Sequence, residues 1–122
     1  MKSSKFKVLV WGSIAVVLGL AAWYLKRPER ATGSMDAFAK CLAGKNVTLY
    51  GAEWCPHCQA EKQAFGDSFQ YVPYVECPAD PQKCLGLGIK GYPTWILGDG
   101  RKLEGEQGLG KLSAETRCEL KN

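Results

Sequence analysis

"LYGAEWCPHCQ", Leu49 to Gln59, places two cysteines where the pattern of the chain changes. Upstream, Val47 to Tyr50 is apolar and β-prone between turn residues, and reads as a buried strand. Downstream, Ala60, Ala64, Phe65 and Phe69 recur at helical spacing with polar residues between them. Cys55 therefore stands at the cap of a helix. Pro56 takes the first helical position, where its missing N–H costs nothing and its fixed φ is already helical. A sulfur at the cap faces free backbone N–H groups and the positive end of the helix dipole, which favour its anionic form. Cys58, three residues on, shares that face and is within reach of a Cys55–Cys58 bond. His57 adds positive charge when protonated. The stretch reads as a reactive dithiol, with an exposed attacking sulfur on Cys55 and a more buried resolving sulfur on Cys58. Two rival readings remain: half of a four-thiolate zinc site completed by Cys77 and Cys84, or a structural staple.

Working outward, Asp36 is placed to cap a helix carrying Phe38, Cys41 and Leu42 and ended by Gly44. "YVPYVEC", Tyr71 to Cys77, reads as a second strand, with Pro73 marking a sheet edge or a strand start. Gly66 falls inside the helix that follows Cys55, at a cost of about 1 kcal/mol. Pro81 to Leu87 suits a short helix. Thr94 to Leu97 and Lys102 to Glu104 flank "GDG" and read as an antiparallel pair. Ser113 starts or supports a last helix with Ala114, Thr116, Cys118 and Leu120. The order is helix, strand, helix, strand, helix, strand, strand, helix, an α/β arrangement with a central mixed sheet flanked by helices. "GLGIKG", Gly86 to Gly91, matches a dinucleotide motif only formally, since it neither ends a strand nor opens a helix.

The 122 residues allow one small domain. Residues 1–30 hold six Lys/Arg against Glu29, which leaves ten basic and eleven acidic residues in 31–122. The formal charge of +4 is thus an N-terminal property, and nucleic acid is not an expected partner. His57 is the single histidine, so no histidine-based metal site or triad can be assembled. Residues 1–7 form a short basic segment. Val8 to Leu25 carries no charge over 18 residues, with Trp11 towards one end and Trp23 and Tyr24 at the other. At about 1.5 Å per residue it reads as a transmembrane anchor rather than a cleaved signal. Residues 26–34, containing "KRPERATGS", read as a linker, and 35–122 as the folded domain. Six cysteines in so short a chain point to an oxidising compartment, placing the domain on the extracytoplasmic side, periplasmic or lumenal.

"WCPHC" opening a helix, with "GYPT" at Gly91 to Thr94, resembles the thioredoxin superfamily. The resemblance implies a thioredoxin-like fold in which Pro93 is a cis-proline facing the cysteines and Tyr92 offers its backbone to an extended substrate segment. The CPHC tetrapeptide is similar to that of DsbA-type oxidases, and glutaredoxins share the strand followed by a CPxC helix. A closer likeness, through "LYGAEWCPHCQ", "YVPYVEC" and "YPTWI" over about residues 36 to 105, is to the thioredoxin-like partner domain of bacterial vitamin K epoxide reductase homologues. Those proteins carry a second cysteine pair, which Cys77 and Cys84 match in order; here it reads as a structural disulfide, with an electron-relaying couple as the alternative. Cys41 and Cys118 are as readily free thiols as a pair. Trp54 and Trp95 are framework or substrate-facing aromatics. One departure stands out: the superfamily's buried acid, six residues before the first cysteine, is Leu49, and the nearest acid, Glu53, reads as exposed.

The expected protein is a membrane-anchored thiol-disulfide oxidoreductase that oxidises thiols of exported proteins. No cofactor is expected beyond the Cys55–Cys58 disulfide itself. Reoxidation would fall to a separate quinone-linked membrane oxidoreductase. The alternatives are a disulfide reductase or isomerase, and a non-catalytic zinc- or thiol-binding membrane module.

Overall fold

The computed structural model describes residues 2–25 and 33–121, with side chains from 13–24 and 35–121. Two units, Met1–Ala31 and Thr32–Asn122, are taken separately. The first holds one helix, α1 (Lys2–Leu25). Ile14, Val16, Val17, Leu18, Leu20 and Trp23 on it are all more than half exposed. The expected anchor Val8 to Leu25 is not upheld here: among the described residues no helix is long and apolar enough to cross a membrane. The described side chains of α1 run only from 13 to 24. The side chains of 8–12 and 25, and the expected linker up to residue 32, lie outside the described residues.

In the second unit the elements are α2 (Gly33–Gly44), β1 (Thr48–Gly51), α3 (Pro56–Phe65), β2 (Tyr74–Glu76), α4 (Pro81–Gly86), β3 (Thr94–Ile96), β4 (Lys102–Glu104) and α5 (Gly108–Thr116). The strands form one mixed sheet in the order β2-β1-β3-β4. β2 runs parallel to β1 with Leu49 opposite Tyr74 and Gly51 opposite Glu76. β3 lies antiparallel to β1 and β4 antiparallel to β3. The arrangement is compatible with a thioredoxin-like fold.

Strand alternation divides the core by sheet face. Leu49 and Trp95 point to one face, where Phe38, Ala39 and Leu42 of α2, Phe65 of α3 and Leu112 of α5 close over them. Tyr50 points to the other and packs with Cys77, Cys84 and Ile89. Cys77 and Cys84 are bonded to each other, their Cα atoms 5.7 Å apart. Two bonded sulfurs cannot serve as thiolate ligands, so the four-thiolate zinc arrangement is not formed.

Several expectations shift. Asp36 lies in the first turn of α2, not at its cap, and accepts a hydrogen bond from Ser68. Gly66, at φ +54°, ends α3 instead of interrupting it, and residues 66–71 turn as a 3₁₀ helix. The second strand keeps only Tyr74–Glu76, because the chain reaches the sheet edge at Pro73, whose carbonyl accepts from Leu49 N at 2.9 Å. The last helix begins at Gly108 and stops at Thr116, short of Cys118 and Leu120. Arg117 then takes a left-handed conformation, φ +56°, and the reversed chain brings Cys118 to Cys41. The two form a disulfide with Cα atoms 5.9 Å apart.

The turn between β3 and β4 contains Gly100 at φ +88°. Gly98 matters more, since a Cβ there would lie 2.3 Å from the Lys45 carbonyl oxygen. Backbone must move to admit it. Gly98→Ala is expected to destabilise the domain by about 1–3 kcal/mol, read as a lower urea midpoint at unchanged slope.

Candidate active site

The strand-to-helix handover places Cys55 as the N-cap of α3, extended at φ −81°, ψ 118°, with Pro56 beginning the helix. The Cys55 Sγ accepts from Cys58 N at 3.4 Å. It therefore holds the capping role that oxygen side chains fill elsewhere. The Tyr92 carbonyl lies 3.7 Å from the same sulfur, and the Tyr92–Pro93 peptide bond is cis. Cys55 and Cys58 are free thiols. Sequence reasoning expects Cys55 exposed, but it is 5% exposed against 0% for Cys58. Tyr92 packs over the pair and shields it.

The two tryptophans separate. Trp95 is fully buried in the core, whereas Trp54 is 71% exposed and meets the Tyr92 ring edge-on with centroids 6.0 Å apart. Trp54 is thus an apolar surface beside the dithiol, and Trp95 is framework. His57 faces outward and its Nδ1 lies 2.9 Å from a Glu106 carboxylate oxygen. Both side chains are well exposed, so the pair contributes at most about 1 kcal/mol. His57, Tyr92, Pro93 and residues 105–108 line one open groove. Pro93 O accepts from Gly105 N at 2.8 Å, so the proline loop and the 105–108 loop are tied together.

Glu61 is a site residue that sequence reasoning passed over. The buried stripe of α3 is Cys58, Glu61 and Phe65, while Ala64, expected inside, is exposed. The Glu61 carboxylate, 1% exposed, accepts from the backbone N–H of Gln107 and, at 3.1 Å, of Gly108. It supplies the anionic cap that a glycine-rich helix start lacks. The signal in sequence was faint: an acid at i+3 from Cys58 among polar neighbours reads as solvated. The disulfide at Cys77 and Cys84 lies under the opposite sheet face from the reactive cysteines, alongside Tyr50 and Ile89.

Burial pushes the Cys58 thiol up to about 11, reinforced by its hydrogen bond with Cys55 and opposed by the Ala52 backbone and Lys62. The folded protein holds this proton more tightly than the unfolded chain. The associated stability is full below about pH 9 and is lost as pH rises towards 11. Iodoacetamide at pH 8 is expected to label Cys55 first, with Cys58 reacting in the folded protein only as pH approaches 11; peptide mapping of labelled protein reads the order. Glu61→Ala is expected to cost about 1–3 kcal/mol by leaving two N–H groups unpaired, checked by urea unfolding.

No protein-family model matches the chain. It is similar to the thiol-disulfide oxidoreductase LTO1 of Arabidopsis thaliana, 38% identical over 93 residues, a match that takes in 69% of this chain and 24% of that protein. The chain thus spans about a quarter of the length of this curated relative. With a CPHC dithiol at a helix start beneath a proline loop, the chain is a relative of a thiol-disulfide oxidoreductase.

Proposed function

We propose that this chain is a dithiol oxidant for exported proteins, held at a membrane on its extracytoplasmic side. The observation that carries the reading is Cys55: a capping sulfur at the start of α3, beside the Tyr92 carbonyl and an adjoining groove. In the reaction, a substrate thiolate attacks Sγ of Cys55 in the Cys55–Cys58 disulfide, and Cys58 leaves as a thiolate that takes up a proton. A second substrate thiolate then attacks the substrate sulfur of the mixed disulfide and releases Cys55. Two electrons pass from substrate to couple. Tyr92, ahead of the cis-proline Pro93, offers its backbone to an extended substrate segment, and Trp54 gives it an apolar surface. The helix dipole at the Cys55 cap, with His57 adding positive charge whenever it carries a second proton, would favour the reduced couple and so make its disulfide oxidising.

Reoxidation falls to a quinone-linked membrane partner like vitamin K epoxide reductase. Cys55 attacks the partner's disulfide and Cys58 displaces it. This part of the reading rests on the likeness in "LYGAEWCPHCQ", "YVPYVEC" and "YPTWI". Membrane attachment rests on the uncharged run Val8 to Leu25, and the extracytoplasmic placement on the chain's cysteine content and its two disulfides.

Cys58→Ser is expected to accumulate mixed disulfides through Cys55 when expressed in an oxidising compartment, seen as thiol-sensitive bands on non-reducing gels; no captured protein would sink the assignment. The reduction potential decides the direction of flow. It is expected nearer about −120 mV than about −270 mV on equilibration with glutathione, and His57→Ala is expected to make it more negative.

A further inference from the structure

Whichever way electrons flow, the proton of Cys58 must move, and Cys58 is wholly buried. The strand residue against its sulfur is Gly51, and Leu49, two residues before it on the same face, is not an acid and pairs in the register with Tyr74. Strand alternation puts Leu49, Gly51, Tyr74 and Glu76 on one face. That is the face on which Cys58 rests. A Cβ on Gly51 would lie 2.9 Å from Cys58 Sγ and 3.3 Å from Tyr74 Cε2, so the sulfur and the phenol ring border the same small space. The Tyr74 hydroxyl donates to Glu76 Oε2, and Glu76 Oε1 accepts from Glu53 N at 2.8 Å. Lys62 Nζ sits over the Tyr74 ring, 3.9 Å from its centroid.

We infer that Tyr74 and Glu76 form the proton relay of Cys58. When Cys58 resolves a mixed disulfide, its S–H proton passes to the Tyr74 oxygen as the phenol gives its own proton to the Glu76 carboxylate, which is half-buried at the sheet edge. The Cys58 thiolate then attacks Cys55 Sγ, the Cys55–Cys58 bond forms, and the bound sulfur leaves as a thiolate. In the oxidative half of the cycle the same path returns a proton to Cys58. The groups facing the relay are Cys55, Lys62 and Glu53. Tyr74 is held in its neutral form, its pKa raised by burial and then by its bond to Glu76, so it hands a proton on without standing as a phenolate.

The inference rests on the dithiol reading, and one experiment separates the two. Reduced full-length protein is mixed in stopped flow with excess dithiobis(nitrobenzoate), whose coloured thiolate appears once when Cys55 attacks and again when Cys58 displaces it. Two equivalents from the wild type and one from Cys58→Ser uphold the dithiol chemistry; a wild type that releases only one overturns that chemistry and the relay with it. Tyr74→Phe keeps the ring, and Glu76→Gln keeps an acceptor for Glu53 N. Both are expected to leave the first phase unchanged and slow the second at least tenfold at pH 7, with rates converging on the wild type as pH nears 11. A second phase at the wild-type rate in either variant, or a slowing equal at every pH, overturns the relay.

Discussion

A helix can rest its first turn directly on a sheet only where the strand beneath it carries no side chain. At the end of β1 that condition is met by Gly51, and the position where a Cβ would stand is bordered by the Cys58 sulfur and the Tyr74 ring. The approach of α3 fixes the rest. It sets Cys55 at the cap, aims its sulfur at the Tyr92 carbonyl, and buries Cys58 against β1, whose neighbour β2 bears Tyr74 and Glu76. Adding a methyl at Gly51 would press on the resolving sulfur before it disturbed anything else.

Around that contact the molecule distributes its polar groups by consequence. Glu61 is spent on two backbone donors at the start of α5, which draws the 105–108 loop onto α3. The loop in turn holds the proline segment through Gly105 N and places Glu106 beside His57. A buried carboxylate one turn beyond the dithiol therefore shapes the opposite wall of the groove. It is architecture, and its effect on reactivity passes through position.

The legible parts of the sequence were those governed by local rules. The alternation of strand and helix around Cys55, the proline at the first helical position and Gly100 of the β3–β4 turn all follow from short-range sterics. Cys55 and Cys58 come together because their spacing puts them on one turn. What sequence missed depended on partners distant along the chain. Gly108-Leu109-Gly110 is a poor helix start on propensity, and only Glu61, 47 residues away, makes it one. Tyr74 and Glu76 looked like ordinary residues of an edge strand until the register with β1 set them on the Gly51 face, where the Cys58 sulfur lies. The Cys41–Cys118 bond was hidden because the left-handed turn at Arg117 redirects the chain after α5.

That last bond joins residues 77 positions apart, from within the first helix of the domain to just beyond its last. Between them lie all four strands. The folded unit is covalently close to a ring. Tension applied through its two flanks is carried by the sulfur–sulfur link, and the sheet bears none of it. A machine that unravels proteins by reeling in one end meets a loop that it must swallow as a double strand. In an oxidising environment, then, the same chemistry that the domain is proposed to confer on other chains locks its own outline against mechanical extraction.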